Sequence, residues 1–131
     1  MIVSPTKDRT VLDASVRPLI ANYLSIPAYA HLQRQAGRGP ALESMWERWA
    51  ASDRAGARSQ LPDSVLDELV VSGEPEECGR WIRNAERRHG IHIVATILMP
   101  DGMDYHDVLA RISAEPNRRS APGLTSRATG R

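Results

Sequence analysis

The sequence predicts an α/β chain, mostly helical, that is a slice of a larger parallel barrel or doubly wound sheet. Three observations predict it. Helical hydrophobic spacing recurs from Asp8 to Ile112. Ile91 to Met99 is a nearly uniform apolar, β-branched run of strand length, the composition of a strand covered on both faces. A helix, a glycine, that strand and another helix follow in order, which is the β/α rhythm of parallel sheets. One good strand and one strand stub do not make a sheet of useful size, so the chain reads as incomplete.

Each element has a local cause. Met1 to Ser4 is a short apolar strand end closed by Pro5, which cannot donate to a ladder. From Asp8, an N-terminal cap, Val11, Leu12, Ser15, Val16, Leu19, Ile20 and Tyr23 mark a first helix to about Leu24. Pro18 lies inside it and predicts a kink or break. Pro27 restarts a short helix through Ala28, Tyr29 and Leu32, closed by Gly37, Gly39 and Pro40. Leu42, Met45, Trp46, Trp49 and Ala50 form the apolar face of a third helix.

After the polar stretch Ser52 to Gln60, Pro62 and Asp63 open a fourth helix that carries Val65, Leu66, Leu69 and Val70 and stops at Ser72 and Gly73. Pro75, Glu76 and Glu77 begin a fifth, with Cys78, Trp81, Ile82 and Ala85 as its buried stripe and Arg87, Arg88 and His89 at its negative end. Gly90 ends it, and the Ile91 to Met99 strand follows. Pro100, Asp101 and Gly102 lead to a last helix capped by Asp104 and carrying Tyr105, Val108, Leu109 and Ile112. From Glu115 to Arg131 the Pro, Arg, Ser, Gly and Thr composition predicts a disordered tail, which leaves residues 1–114 as the folded part.

Composition narrows the function classes. At 131 residues the chain suits one domain at most, and no apolar run approaches the ~20 residues of a membrane span. The N-terminus lacks a secretory h-region, and a lone Cys78 fits a reducing compartment, so a cytoplasmic location is expected. The net charge of +1, with arginines interleaved among acidic residues, gives no stripe for nucleic acid.

The segment Leu61 to Cys78, with Gly73-Glu74-Pro75-Glu76-Glu77 at its centre, resembles the C-terminal signature of luciferase-like monooxygenases. In that family a Gly-x-Pro-Glu-Glu helix start precedes the last barrel strand. Tyr23 to Ala30, Gly37-Arg38-Gly39, Trp49 and Asp53-Arg54 also resemble an insertion that deazaflavin-using members place between the seventh and eighth strands. The likeness spans Ile2 to Ile112.

It implies a partial (β/α)₈ TIM barrel, the last two strands with their helices, from a flavin- or deazaflavin-dependent oxidoreductase or monooxygenase. FMN or a deazaflavin would lie at the C-terminal face of the strands. The strands and glycine-rich loop that hold most of the cofactor would be absent, so this chain alone is expected to bind none and to be inactive. Its partners would be the missing N-terminal barrel portion or a second copy. Two departures stand out and read as drift: Glu74 where Thr or Ser often caps the helix, and Gly79 in a helix interior.

No acid/base pair or activated nucleophile is evident, and no catalytic residue is assigned. Ser4 and Met99 are the substrate-pocket candidates, because each would end a barrel strand on the face where active sites cluster. Cys78, His89 and His92 lack metal-ligand spacing, and Glu74, Glu76 and Glu77 would repel a phosphate at Ser72-Gly73. Trp46 and Trp49 read as core, and Arg118-Arg119 as a solvated end. The competing expectation is a small helical interaction module that buries Trp46, Trp49 and Trp81 against a partner, with Leu42, Trp46 and Trp81 exposed and sticky in the isolated chain.

Overall fold

The computed structural model describes residues 1–115. They form a mostly helical α/β structure around a three-stranded parallel sheet. Its strands are β1 (Ile2–Ser4), β2 (Val70–Ser72) and β3 (Thr96–Ile97), in the order β2-β1-β3. Ile2, Val3 and Ser4 lie opposite Val70, Val71 and Ser72 on one side. On the other side Ile2 and Val3 lie opposite Thr96 and Ile97. The expected parallel pairing of the N-terminal stub with the 91–99 segment is thus present, and the sheet is open.

The sheet corrects two expectations. A third strand exists where the fourth helix was expected to run on to Ser72. α6 (Asp63–Leu69) ends earlier, and Val70 already has extended φ −123 and ψ 123. The β-branched pair Val70-Val71 favours a pleated surface over another helical turn. The 91–99 segment, in turn, is not a strand covered on both faces. Only Thr96 and Ile97 are strand, held by Thr96 N–H donating to the Met1 carbonyl and Leu98 N–H to that of Val3, both at 2.8 Å. Among the described residues nothing pairs with its outer edge, and Val94 is 87% exposed.

Between β1 and β2 runs a helical layer. α1 (Arg9–Val11), a π-turn (Leu12–Val16) and α2 (Arg17–Leu24) form one continuous helix, in which Arg17 N–H reaches back to the Leu12 carbonyl. The widened turn is the form the Pro18 disruption takes, because it makes room where the proline ring would crowd an α-helical ladder. α3 (Pro27–Gln35) ends at Gly37, whose φ of +81° suits a residue without Cβ. α4 (Gly39–Ala50) follows at once.

The polar stretch after it is a helix, α5 (Arg54–Gln60), which sequence periodicity missed because it buries little more than Ala57. Asp53 caps it, accepting from Gly56 N–H at 2.8 Å. Leu42 is fully buried and Trp46 nearly so, within a core shared with Val16, Ile20, Met45 and Leu66. The expectation that Leu42 and Trp46 lie exposed in the isolated chain is therefore overturned: α2, α3 and α5 cover them.

Neighbouring strand residues point to opposite faces. Ile2 packs against the core of the helical layer, while Val3 is fully buried outside it, so both faces of β1 are covered. Of the other buried apolar residues outside that core, Cys78, Val108 and Ile112 belong to α7 (Pro75–His89) and α8 (Tyr105–Ser113). Helices on both faces and a central first strand are the layering of a doubly wound sheet. A closed barrel instead keeps consecutive strands side by side.

Both supposed departures at the start of α7 have structural roles, which corrects the reading of them as drift. Glu74 and Glu77 form a reciprocal capping box, with Glu74 N–H donating to Glu77 Oε2 at 2.9 Å. Gly79 sits where α7 meets α8: a Cβ there would lie 2.0 Å from the Ile112 carbonyl oxygen. Arg83 donates to the same oxygen at 2.9 Å. Arg111 clamps Glu76 with both nitrogens, at 2.6 and 3.1 Å, and ties the two helices together from the other side.

Gly79→Ala should lower stability by roughly 1–3 kcal/mol through this clash, outweighing the ~1 kcal/mol gain in helix propensity. Urea unfolding measures it, and a raised midpoint would refute the close approach. The Arg111 guanidinium holds the Glu76 carboxyl below its ordinary value of 4.5, chiefly by hydrogen bonding. The stabilisation is complete above pH 4.5 and is lost as pH falls through the depressed folded value. Melting temperature should fall below that pH at low salt, with a shallower acid slope in Glu76→Gln; identical slopes would exclude the pair.

Candidate functional site

The parallel strands end together, which brings Ser4, Ser72 and the chain after Ile97 to one edge of the sheet. There Ser4 and Met99, the two positions chosen from the sequence, border one cleft of about 270 Å³. Its other walls include Ser15, Val16 and Leu19 from the first helix and Leu98 from the end of β3. The sequence treated Ser15 and Leu19 only as members of a helical stripe. Their second role depends on α2 crossing the β1–β3 junction, which no spacing along the chain reveals.

Ser4 is the one buried polar side chain among the described residues, 1% exposed, and its Oγ has no hydrogen-bond partner. Such a group costs about 1–3 kcal/mol when left unsatisfied. The chain leaves β1 towards β2 on one side and returns to β3 on the other, so β1 and β3 flank a topological switch point. Ligands of open α/β sheets bind in the crevice outside the carboxyl ends of such strands. The cleft has that position. No charged side chain lines it.

The other singled-out residues are dispersed. Cys78 is fully buried on α7 beneath the Gly73 carbonyl, 3.6 Å from its Sγ, and burial pushes its thiol up to about 11. His89 and His92 lie on the surface, and no three His, Cys, Asp or Glu side chains converge among the described residues. At Ser72-Gly73 the backbone donors are engaged: Gly73 N–H donates to the Thr6 carbonyl at 3.0 Å and Glu74 N–H to Glu77. Lys7 pairs with Glu77 at 2.9 Å, which holds that carboxyl low.

Trp46 donates Nε1–H to the Leu24 carbonyl at 2.9 Å and carries the Arg34 guanidinium over its ring at 4.2 Å. Trp49, half-buried, carries Arg54 at 3.8 Å. Neither tryptophan reaches the cleft. Trp81 is 48% exposed, beside Ile91 and Val94. Arg118-Arg119 and the expected tail beyond Glu115 lie outside the described residues.

No helix among the described residues is long and apolar enough to cross a membrane. A scan against protein-family models and searches of curated proteins and of solved structures return no match to this chain. The placement of Cys78 yields a direct expectation: at pH 8 its thiol should resist a disulfide reagent until denaturant opens α7, because both burial and the raised pKa suppress the thiolate. Reaction at a free-cysteine rate in native buffer would contradict it.

Proposed function

We propose that this chain is part of a luciferase-like flavin- or deazaflavin-dependent oxidoreductase or monooxygenase and is inactive alone. The observation that carries the reading is the meeting of Ser4 and Met99 in one cleft at the carboxyl ends of parallel neighbours. The ordered Gly73-Glu74-Pro75-Glu76-Glu77 helix start adds support, since it opens α7 directly after β2. Cofactors of parallel α/β folds bind at that end of the sheet.

The residues present do not fit the whole cofactor. No cationic side chain lines the cleft to receive a phosphate. The remaining contacts must come from the missing N-terminal barrel portion or from a second copy. Trp81, Ile91 and Val94 line one cleft with Met1 and are an exposed apolar surface that such an addition would cover.

Titrating FMN and a deazaflavin with the purified chain, while following cofactor fluorescence, should give no saturable binding. Co-expression with the first six β/α units of a luciferase-like protein should restore it. Absence of both binding and complex formation in that trial would refute the reading, and micromolar binding by the monomer would show that the site is complete without added strands.

A further inference from the structure

The cleft at Ser4 is not isolated. A second cavity of about 470 Å³ lies along the same face of β1 and β3, and the two share Leu19 and Leu98 as walls. Ile2 and Ser4 project to one face of β1, and Thr96 and Leu98 continue that face on the neighbouring segment. One groove therefore runs under β3, with Ser4 at one end and Tyr23 and Tyr29 at the other. The tyrosine rings meet edge to face, 6.1 Å between centroids.

We propose that this groove is a binding site for a neutral aromatic small molecule carrying one hydrogen-bonding group. Its walls are mostly apolar and contain no charged side chain, so an ion entering it would lose hydration without a side-chain counter-charge. Among the polar side chains of the groove, which include Ser15, Gln33 and Thr96, the Ser4 hydroxyl is the one that is buried and unpartnered, and it supplies the anchor. At the far end Tyr23 and Tyr29 offer ring edges and faces to a flat ligand. The site uses only residues of this chain. It needs neither a flavin nor added strands, so it stands or falls separately from the oxidoreductase reading.

The test uses 2-naphthol, which is neutral at pH 7 and fluorescent, with naphthalene and 2-naphthalenesulfonate as controls. The full chain should bind 2-naphthol saturably and about fivefold more tightly than naphthalene, the scale of one net hydrogen bond. The sulfonate should not bind. Ser4→Ala should bring 2-naphthol down to the naphthalene level and leave naphthalene unchanged. Methyl resonances of Ile2, Leu19 and Leu98 should shift on binding, which locates the ligand without reliance on any variant's folding. No saturation up to probe solubility, equal binding of the sulfonate, retained discrimination in Ser4→Ala, or shifts confined to other methyls would each overturn the proposal.

Discussion

β1 is the constraint on which the rest of the structure depends. A buried backbone must find a partner for nearly every N–H and carbonyl, and β1 is paired along both edges by segments far apart in sequence. Val70–Ser72 must return from the helical layer to meet it on one side, and Thr96–Ile97 must cross over it to meet the other. Alternation along the same three residues places Ile2 and Val3 on opposite faces, which obliges helices to cover both. The long connection to β2 becomes one layer, and α7 with α8 supplies the other buried set. Strand order, layering and the position of the cleft all follow from a strand of three residues.

Much of this was legible in the sequence where the signal was local. Apolar spacing located α2, α3, α4, α7 and α8, and turn residues at Gly37 and Gly90 marked the ends of α3 and α7. Legibility failed where local preference was weak or was overruled. α5 is polar on most of its surface and is set by the Asp53 cap and the contact of Ala57, which a search for apolar stripes cannot see. Val70 fits the periodicity of α6 and also strand propensity; pairing with Ile2 decides between them. In the 91–99 run, composition favours a fully covered strand, yet pairing exists only on the β1 side, so most of the run lacks the ladder that would make it one.

The candidate cleft was legible only in part. Strand ends identified Ser4 and Met99, and the fold brings both to one cleft. What the sequence could not supply was the wall opposite them, because Ser15 and Leu19 reach the cleft only through the path of α2 over the β1–β3 junction. Gly79 teaches the same lesson in reverse. Read alone it weakens a helix, whereas its neighbour in space, the Ile112 carbonyl, leaves no room for a Cβ. A residue unfavourable to its own element can be required by the packing of the next.

Ser4 joins these threads. It is the last residue of the central strand, opposite Ser72 of β2, and its backbone carbonyl accepts from Thr6 N–H at 2.8 Å. A methyl group at that position would fill the same space without the penalty of an unpartnered hydroxyl. Packing therefore gives no reason for a serine there. A groove whose walls are mostly apolar does, because a buried hydroxyl at its end orients a ligand with one polar atom while the apolar walls supply the contact area. The energetic cost that Ser4 carries in the free protein is then recovered when the ligand's polar group meets it, so the same constraint that fixes β1 also sets where binding would be selective.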